Sequence, residues 1–369
     1  MRASAERIKT VLTWLGYGLL ALATLEGAAR VEDFWRSGAP LLGNYSIESV
    51  FQPSDLGKEG RPGAHFGKWQ MNALGFRGPE LASPSGSRSA LRVMTVGASE
   101  TFGLYESPER DYPRQLEALL RRAPGLASAS VVNIALPGMR IGRTAYLERS
   151  LQKAPSQWVL IYPTPANYIG TTVGFCAQPP ATFPASPEPE RPEPRLKGKL
   201  VTLLKQHLPL EVMTWMRRAS IRLAERHLDV MDTLPEATLD AFVADVDCAL
   251  QAAQRHGARV VLSTHPNLFG PELAAGDGAA LTAWRSFYPE LREAGFLDME
   301  RRANARLRQL AAQRGVPLVD AAAQIPGGTQ TFADFVHFTD AGAERMASLA
   351  AQTILEAESA SPSEVLSKP

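Results

Sequence analysis

The sequence predicts an α/β fold: a three-layer α/β/α sandwich around a mainly parallel central sheet, preceded by an amino-terminal transmembrane helix. Three observations predict it. Short apolar runs rich in β-branched residues alternate with amphipathic stretches of helical length. Polar, glycine-containing segments follow directly after several of those runs, where open parallel sheets place their ligand-binding loops. And one long apolar stretch opens the chain behind basic residues.

That opening stretch comes first. Arg2, Arg7 and Lys9 precede an apolar run from Val11 to Leu25, closed by Glu26 and Arg30. Residues 1–30 read as a signal anchor. The run is short for a spanning helix, which takes roughly 17–25 residues, and Ala21-Leu22-Ala23 offers a small-residue cleavage pattern. The alternative is therefore a chain secreted after cleavage. Basic residues on the leading side predict a cytoplasmic amino terminus. The expected location is the inner (cytoplasmic) membrane, single-pass, with the main domain on the periplasmic side.

Residues 31–88 read as a membrane-proximal extension ending in the Ser-rich linker Leu81–Arg88. The main domain spans 89–358. Its predicted strands are Leu91–Val96, Ser130–Ile134, Trp158–Tyr162, Arg259–Ser263 and Val316–Asp320. Its predicted helices are Tyr112–Arg122, Arg143–Lys153, Leu239–His256, Asp298–Arg314 and Asp340–Glu356. An insertion at 175–235 interrupts the rhythm. Its Pro- and Glu-rich part, Pro179–Pro194, is incompatible with a regular helix or a sheet interior. Its second part, Arg195–Leu234, has helical periodicity, with eight Lys/Arg against two Glu between Arg195 and Arg226. That part reads either as a lid or a surface for anionic lipid or glycan, or as a solvated helical pair packed on the domain edge. Residues 359–369 read as a disordered tail.

Composition narrows the function classes. Basic and acidic residues nearly cancel, 39 against 38, which argues against nucleic-acid binding driven by phosphate neutralisation. The two cysteines, Cys176 and Cys248, have no metal-ligand spacing. No metal and no cofactor is expected. Outside the cytoplasm the pair could form one disulfide; the plainer reading is two buried thiols.

The chemical signal lies in two segments far apart in the chain. Gly97-Ala98-Ser99-Glu100-Thr101 follows the first strand, and Asp334-Phe335-Val336-His337 stands near the end. A serine hydroxyl is a poor nucleophile until a base takes its proton, and that base needs a third group to hold its tautomer. Ser99, His337 and Asp334 supply this set for acyl transfer through a serine ester. None of His65, His207, His227, His256 or His265 has a carboxylate three residues before it. His265, in Ser263-Thr264-His265-Pro266-Asn267 after another strand, faces the expected rim. It reads either as a possible substrate contact or as a structural histidine.

Four blocks resemble the SGNH (GDSL-type) hydrolases, in that family's order and across about residues 90–355. They are Gly97–Gly103, Val132–Gly138, Tyr162–Asn167 and Asp334–Thr339 with Gly342. The resemblance implies a Ser99-His337-Asp334 triad and an oxyanion hole built by Ser99, Gly138 and Asn167. Two departures stand out. The family usually has Asp before the serine, where this chain has Ala98, and glycine two places before the asparagine, where it has Pro165. The first bears on loop rigidity, the second on the course of the Asn167 loop.

The expected function is a serine esterase acting on an ester-linked acyl group, with an O-acetylated envelope glycan as the expected substrate. Envelope polysaccharide machinery is a candidate partner. Alternatives on the same sequence are a polysaccharide O-acyltransferase using the same site, a lysophospholipase, and a non-catalytic glycan-binding scaffold.

Overall fold

A computed structural model describes residues 2–43, 45–81, 91–176, 194–270 and 278–360. The amino-terminal apolar run lies inside one continuous helix, α1 (Arg2–Ser37). Its stretch Thr10–Ser37 is long and apolar enough to cross a membrane, a test that a signal sequence also passes. The helix runs past the predicted boundary at residue 30. Glu26 and Arg30 pair across one turn at 2.7 Å there, so the charges that close the apolar run continue the helix instead of ending it.

The predicted membrane-proximal extension has structure of its own. It folds into two small antiparallel hairpins, β1 (Phe51–Ser54) with β2 (Gly57–Gly60) and β3 (His65–Phe66) with β4 (Trp69–Gln70). Val50, Phe51, Leu56, Met71 and Phe76 from this region join the main core. At about 1.5–3 kcal/mol per fully buried apolar side chain, that burial binds the extension firmly to the domain. Linker residues 82–88 lie outside the described residues.

The central sheet follows. Its first strand and helices are β5 (Arg92–Gly97), α2 (Ser99–Phe102) and α3 (Tyr112–Arg122). Then come β6 (Ser130–Asn133), α4 (Thr144–Lys153) and β7 (Trp158–Tyr162). The insertion contributes α5 (Arg195–His207) and α6 (Leu210–Ala224); predicted irregular residues 179–193 lie outside the described residues. The chain returns through α7 (Glu236–Arg255), β8 (Arg259–Ser263), α8 (Gly278–Arg285) and α9 (Glu293–Arg314). It ends with β9 (Leu318–Val319), α10 (Ala321–Gln324) and α11 (Asp340–Ala360). Of the predicted tail, Ser359 and Ala360 close α11, and 361–369 lie outside the described residues.

All five strands are parallel, in the order β6-β5-β7-β8-β9. Both faces are buried, so side chains of alternating strand positions enter two different cores. Trp158, Leu160 and Tyr162 of β7 meet α3 and α11, while Val159 and Ile161 face the opposite layer with α4, α7 and α9. This is the predicted three-layer α/β/α arrangement. The edge strand β6 is covered where the Arg77 N–H donates to Asn133 O at 2.9 Å. The last strand is shorter than predicted, two residues instead of five. Pro317 has no N–H for the ladder, and Asp320 turns to bind Arg308.

The cysteines are joined. Cys176 bonds Cys248 on α7 across 72 residues, so the two-thiol reading is corrected. Asp245, one turn earlier on α7, accepts from the N–H groups of Phe175 and Cys176, both at 2.8 Å, and from the Tyr168 hydroxyl at 2.7 Å. The bond closes the loop that carries the whole insertion, a constraint of about 4 kcal/mol in the chain-entropy account.

Candidate active site

The carboxyl end of the sheet gathers the predicted residues. Ser99 begins α2 immediately after β5, with Ala98 in the cap position. The sharp turn depends on Gly97: a Cβ there would stand 2.1 Å from Thr101 Oγ1 and 2.9 Å from Tyr162 O. Asn133, fully buried at the end of β6, donates to Thr101 O at 2.7 Å and accepts from the Ala135 N–H at 3.0 Å. It ties the serine turn to the following loop. In that loop Gly138 has φ +73°, a conformation glycine adopts without penalty.

Asn167 sits in a short 3-10 turn (Pro165–Tyr168) after β7. Its side chain is oriented from both ends. The carbonyl oxygen accepts from the Tyr288 hydroxyl at 3.1 Å, and one amide N–H donates to Met139 O at 3.0 Å. Pro165, the departure noted in the sequence, opens that turn and is buried.

Asp334 and His337 share one tight loop. Asp334 Oδ1 accepts from the backbone N–H groups of Val336 (3.0 Å) and His337 (2.9 Å). The carboxylate then holds His337 Nδ1 at 2.8–3.0 Å. Burial lowers the His337 pKa, but the Asp334 hydrogen bond and the Glu100 charge outweigh it, so it lies above its ordinary value. Burial raises the Asp334 carboxyl, and the His337 hydrogen bond and charge bring it below the usual carboxylate range. The Tyr105 ring leans on the imidazole with centroids 5.0 Å apart.

Ser99, Gly138, Asn167, Asp334 and His337 all line one cavity of about 240 Å³. Its walls include Trp284, Phe287 and Tyr288 on and after α8. The sequence pattern gave no sign of α8. His337 Nε2 is buried with no hydrogen-bond partner among the described residues. The Ser99 hydroxyl does not donate to it; it points to Glu100 Oε2 at 3.2 Å.

Glu100 is the residue that sequence reasoning missed. Next to the serine and fully buried, it accepts from the Thr164 hydroxyl at 3.2 Å and contacts His265 Nε2 at 3.3 Å. His265 Nδ1 reaches Glu300 on α9 at 2.9 Å, and Asn304 brackets the His265 backbone on both sides. His265 is completely buried and does not line the cavity, so the predicted substrate contact is corrected to an internal one. Burial lowers its pKa, but Glu300 and Glu100 outweigh that and raise it to about 10. Burial raises Glu100, and the His265 hydrogen bond and charge more than offset it, to about 2. For Glu300 burial dominates and the pKa stays raised. His265 is therefore held between two buried carboxyl groups. The only sequence signal was a buried-type histidine after a strand; its partners lie 165 and 35 residues away.

Among the described residues no group of three His, Cys, Asp or Glu is placed to hold a metal ion.

No family model matches the chain, and no curated protein matches it. Solved structures do. A lipase/acylhydrolase from Enterococcus faecalis is 14% identical, with 72% of this chain and 96% of that one covered and a TM-score of 0.41. A catalytic mutant of an acetylxylan esterase from Geobacillus stearothermophilus is 13% identical, covering 72% and 94%, with a TM-score of 0.42. A GDSL-like lipase from Bacteroides thetaiotaomicron is 14% identical, covering 72% and 88%, with a TM-score of 0.39.

Proposed function

We propose that this chain is an SGNH-type serine esterase with Ser99 as nucleophile, His337 as base and Asp334 as the group that orients the base. One observation carries the reading. His337 has its Nδ1 clamped by Asp334 and its Nε2 buried without a partner among the described residues, at the wall of the cavity that Ser99 also lines. A buried polar nitrogen left unpaired costs free energy, and a substrate-bound serine proton is what it is suited to receive.

The chemistry follows from that geometry. With ester bound, the Ser99 hydroxyl leaves Glu100 and turns to His337 Nε2. Nε2 takes the proton as Oγ bonds the carbonyl carbon, and the carbonyl oxygen becomes an oxyanion. The N–H groups of Ser99 and Gly138 and the second amide N–H of Asn167 are the donors for that charge, each worth roughly 2.7–4 kcal/mol where measured elsewhere. The carbon–alkoxy bond then breaks, and Nε2 gives its proton to the departing alcohol. Water repeats the sequence on the acyl-enzyme, releasing the acid and restoring the Ser99 proton.

A 240 Å³ cavity is below the roughly 300–1,000 Å³ of drug-sized ligand sites, which favours a short acyl group. The apolar α1 and the Cys176–Cys248 bond favour an anchored, extracytoplasmic domain. A short O-acyl ester on an envelope glycan satisfies both. Turnover of a short-chain aryl ester and labelling by a fluorophosphonate probe test the reading. Both should vanish in Ser99→Ala; a variant that hydrolyses as fast as the parent would remove Ser99 from the mechanism.

A further inference from the structure

The α5–α6 pair joins the anchor helix to the mouth of the cavity. Glu26, the first acid after the apolar run of α1, accepts from the N–H groups of Arg195 (3.1 Å) and Leu196 (2.9 Å) and so caps the start of α5. Lys199 pairs with Glu32 and Asp33, both at 2.8 Å. The root of α5 is thereby fixed at the level where α1 stops being apolar. At the other end α6 packs on α8, and Thr214 and Ile221 of α6 are buried. Helix α8 supplies Trp284 to the cavity wall, where the Tyr105 ring stands 5.0 Å from that of His337.

Between these two attachments the pair exposes a surface that a water-facing helix pair would not be expected to carry. Leu203 and Leu204 on α5 are each 56% exposed, and Trp215 on α6 is 64% exposed. Arg218 and Arg222 are also exposed on α6. Eight basic residues against two acidic ones over this stretch give it a strong positive charge in a chain whose total is only +1. Exposed leucines and a tryptophan among lysines and arginines are the pattern of a helix lying in the headgroup layer.

We propose that α5 and α6 lie on the surface of an anionic bilayer, on the leaflet from which α1 emerges, and hold the cavity mouth close to that surface. The proposal deepens the esterase reading by placing its substrate at the membrane face, and it rests on α1 acting as the anchor. Charge complementarity and continuity with α1 select the bilayer over a soluble partner.

The test uses the full chain in lipid nanodiscs carrying brominated acyl chains, either phosphatidylcholine alone or phosphatidylcholine with phosphatidylglycerol. Subtracting the emission of Trp215→Phe isolates Trp215 from the other tryptophans. Trp215 should be quenched in the anionic discs and much less in the neutral ones. Each basic residue near an anionic surface changes the docked-to-free ratio roughly fivefold. Arg218→Gln with Arg222→Gln should therefore lower that ratio by roughly 25-fold. Leu203→Asp with Leu204→Asp should abolish quenching by removing the apolar contact.

Equal quenching in both disc types, or none in either, overturns the proposal. So does protection of these helices by an acidic polysaccharide in place of lipid. Repeating the measurement on Ser99→Ala keeps the two ideas apart. Quenching that persists without Ser99-dependent ester turnover in the parent would sink the esterase and leave the docking. Turnover without quenching would do the reverse.

Discussion

Two histidines stand at the same end of the sheet, each paired with a carboxylate, in contrasting surroundings. His337 has one nitrogen held by Asp334 and the other buried with no hydrogen-bond partner among the described residues. His265 has both nitrogens occupied, by Glu100 and Glu300, and no exposure at all. The difference teaches what separates a base from a brace. A base needs one held nitrogen and one vacant one, with a pKa that lets it be neutral at working pH. A brace needs every hydrogen-bonding group filled, and its charge can be permanent.

Removing each side chain should therefore give opposite phenotypes, and that is the strongest way to break the contrast. His337→Ala should cut kcat/KM for an aryl ester by about 10⁴-fold while shifting the urea midpoint little. His265→Ala leaves Glu100 and Glu300 buried without their shared cation, a loss of about 3–5 kcal/mol of stability. Chemical unfolding of both proteins beside turnover assays decides it. If His265→Ala unfolds like the parent, the network does not brace the rim.

Titration sharpens the same contrast. The folded pKa of His265, about 10, lies above its ordinary 6.5. Its stabilisation is then complete below pH 6.5 and fades as pH rises towards 10. Glu100, held down near 2, acts in the other direction: its contribution is present above 4.5 and is lost as pH falls towards 2. Urea midpoints across pH should show the alkaline decline in the parent and lose it in His265→Ala. His337 should appear instead in the rate profile. Its pKa is raised, so the acid limb of kcat/KM should fall above 6.5, and Asp334→Asn should move that limb to lower pH.

Much of this arrangement was legible in the sequence, and the reason is local physics. Trp158–Tyr162 and Arg259–Ser263 are short apolar runs between turn signals, and the strands occupy those residues without a shift. Tyr112–Arg122 was equally plain, with Asp111 accepting from the Arg114 N–H at its start. The four site blocks follow strands or lie in one short loop, so the topology alone brings them together. What stayed hidden depends on contacts between distant segments. Nothing near Glu100 announces that His265 and Glu300 will close around it. The strands of the extension's hairpins are two to four residues long, too short for any period to show. Their structure comes from packing Phe51 and Trp69 near Phe102 beside the serine turn.

The finest test concerns Glu100, because it belongs to both histidines. It accepts the resting Ser99 hydroxyl, shares a hydrogen bond with His265, and its charge helps raise His337. Glu100→Gln keeps an oxygen for the serine and removes the charge. The His265–Glu300 pair is then left neutral overall, so this variant should lose less stability than His265→Ala. Turnover should fall by less than about tenfold, since the base and its Asp334 clamp are untouched. The acid limb should still move to lower pH, but by less than in Asp334→Asn, because the Asp334 hydrogen bond outweighs the Glu100 charge in raising His337. A limb that stays in place would mean that the two histidines do not sense one another through this carboxylate. The network would then serve the fold alone.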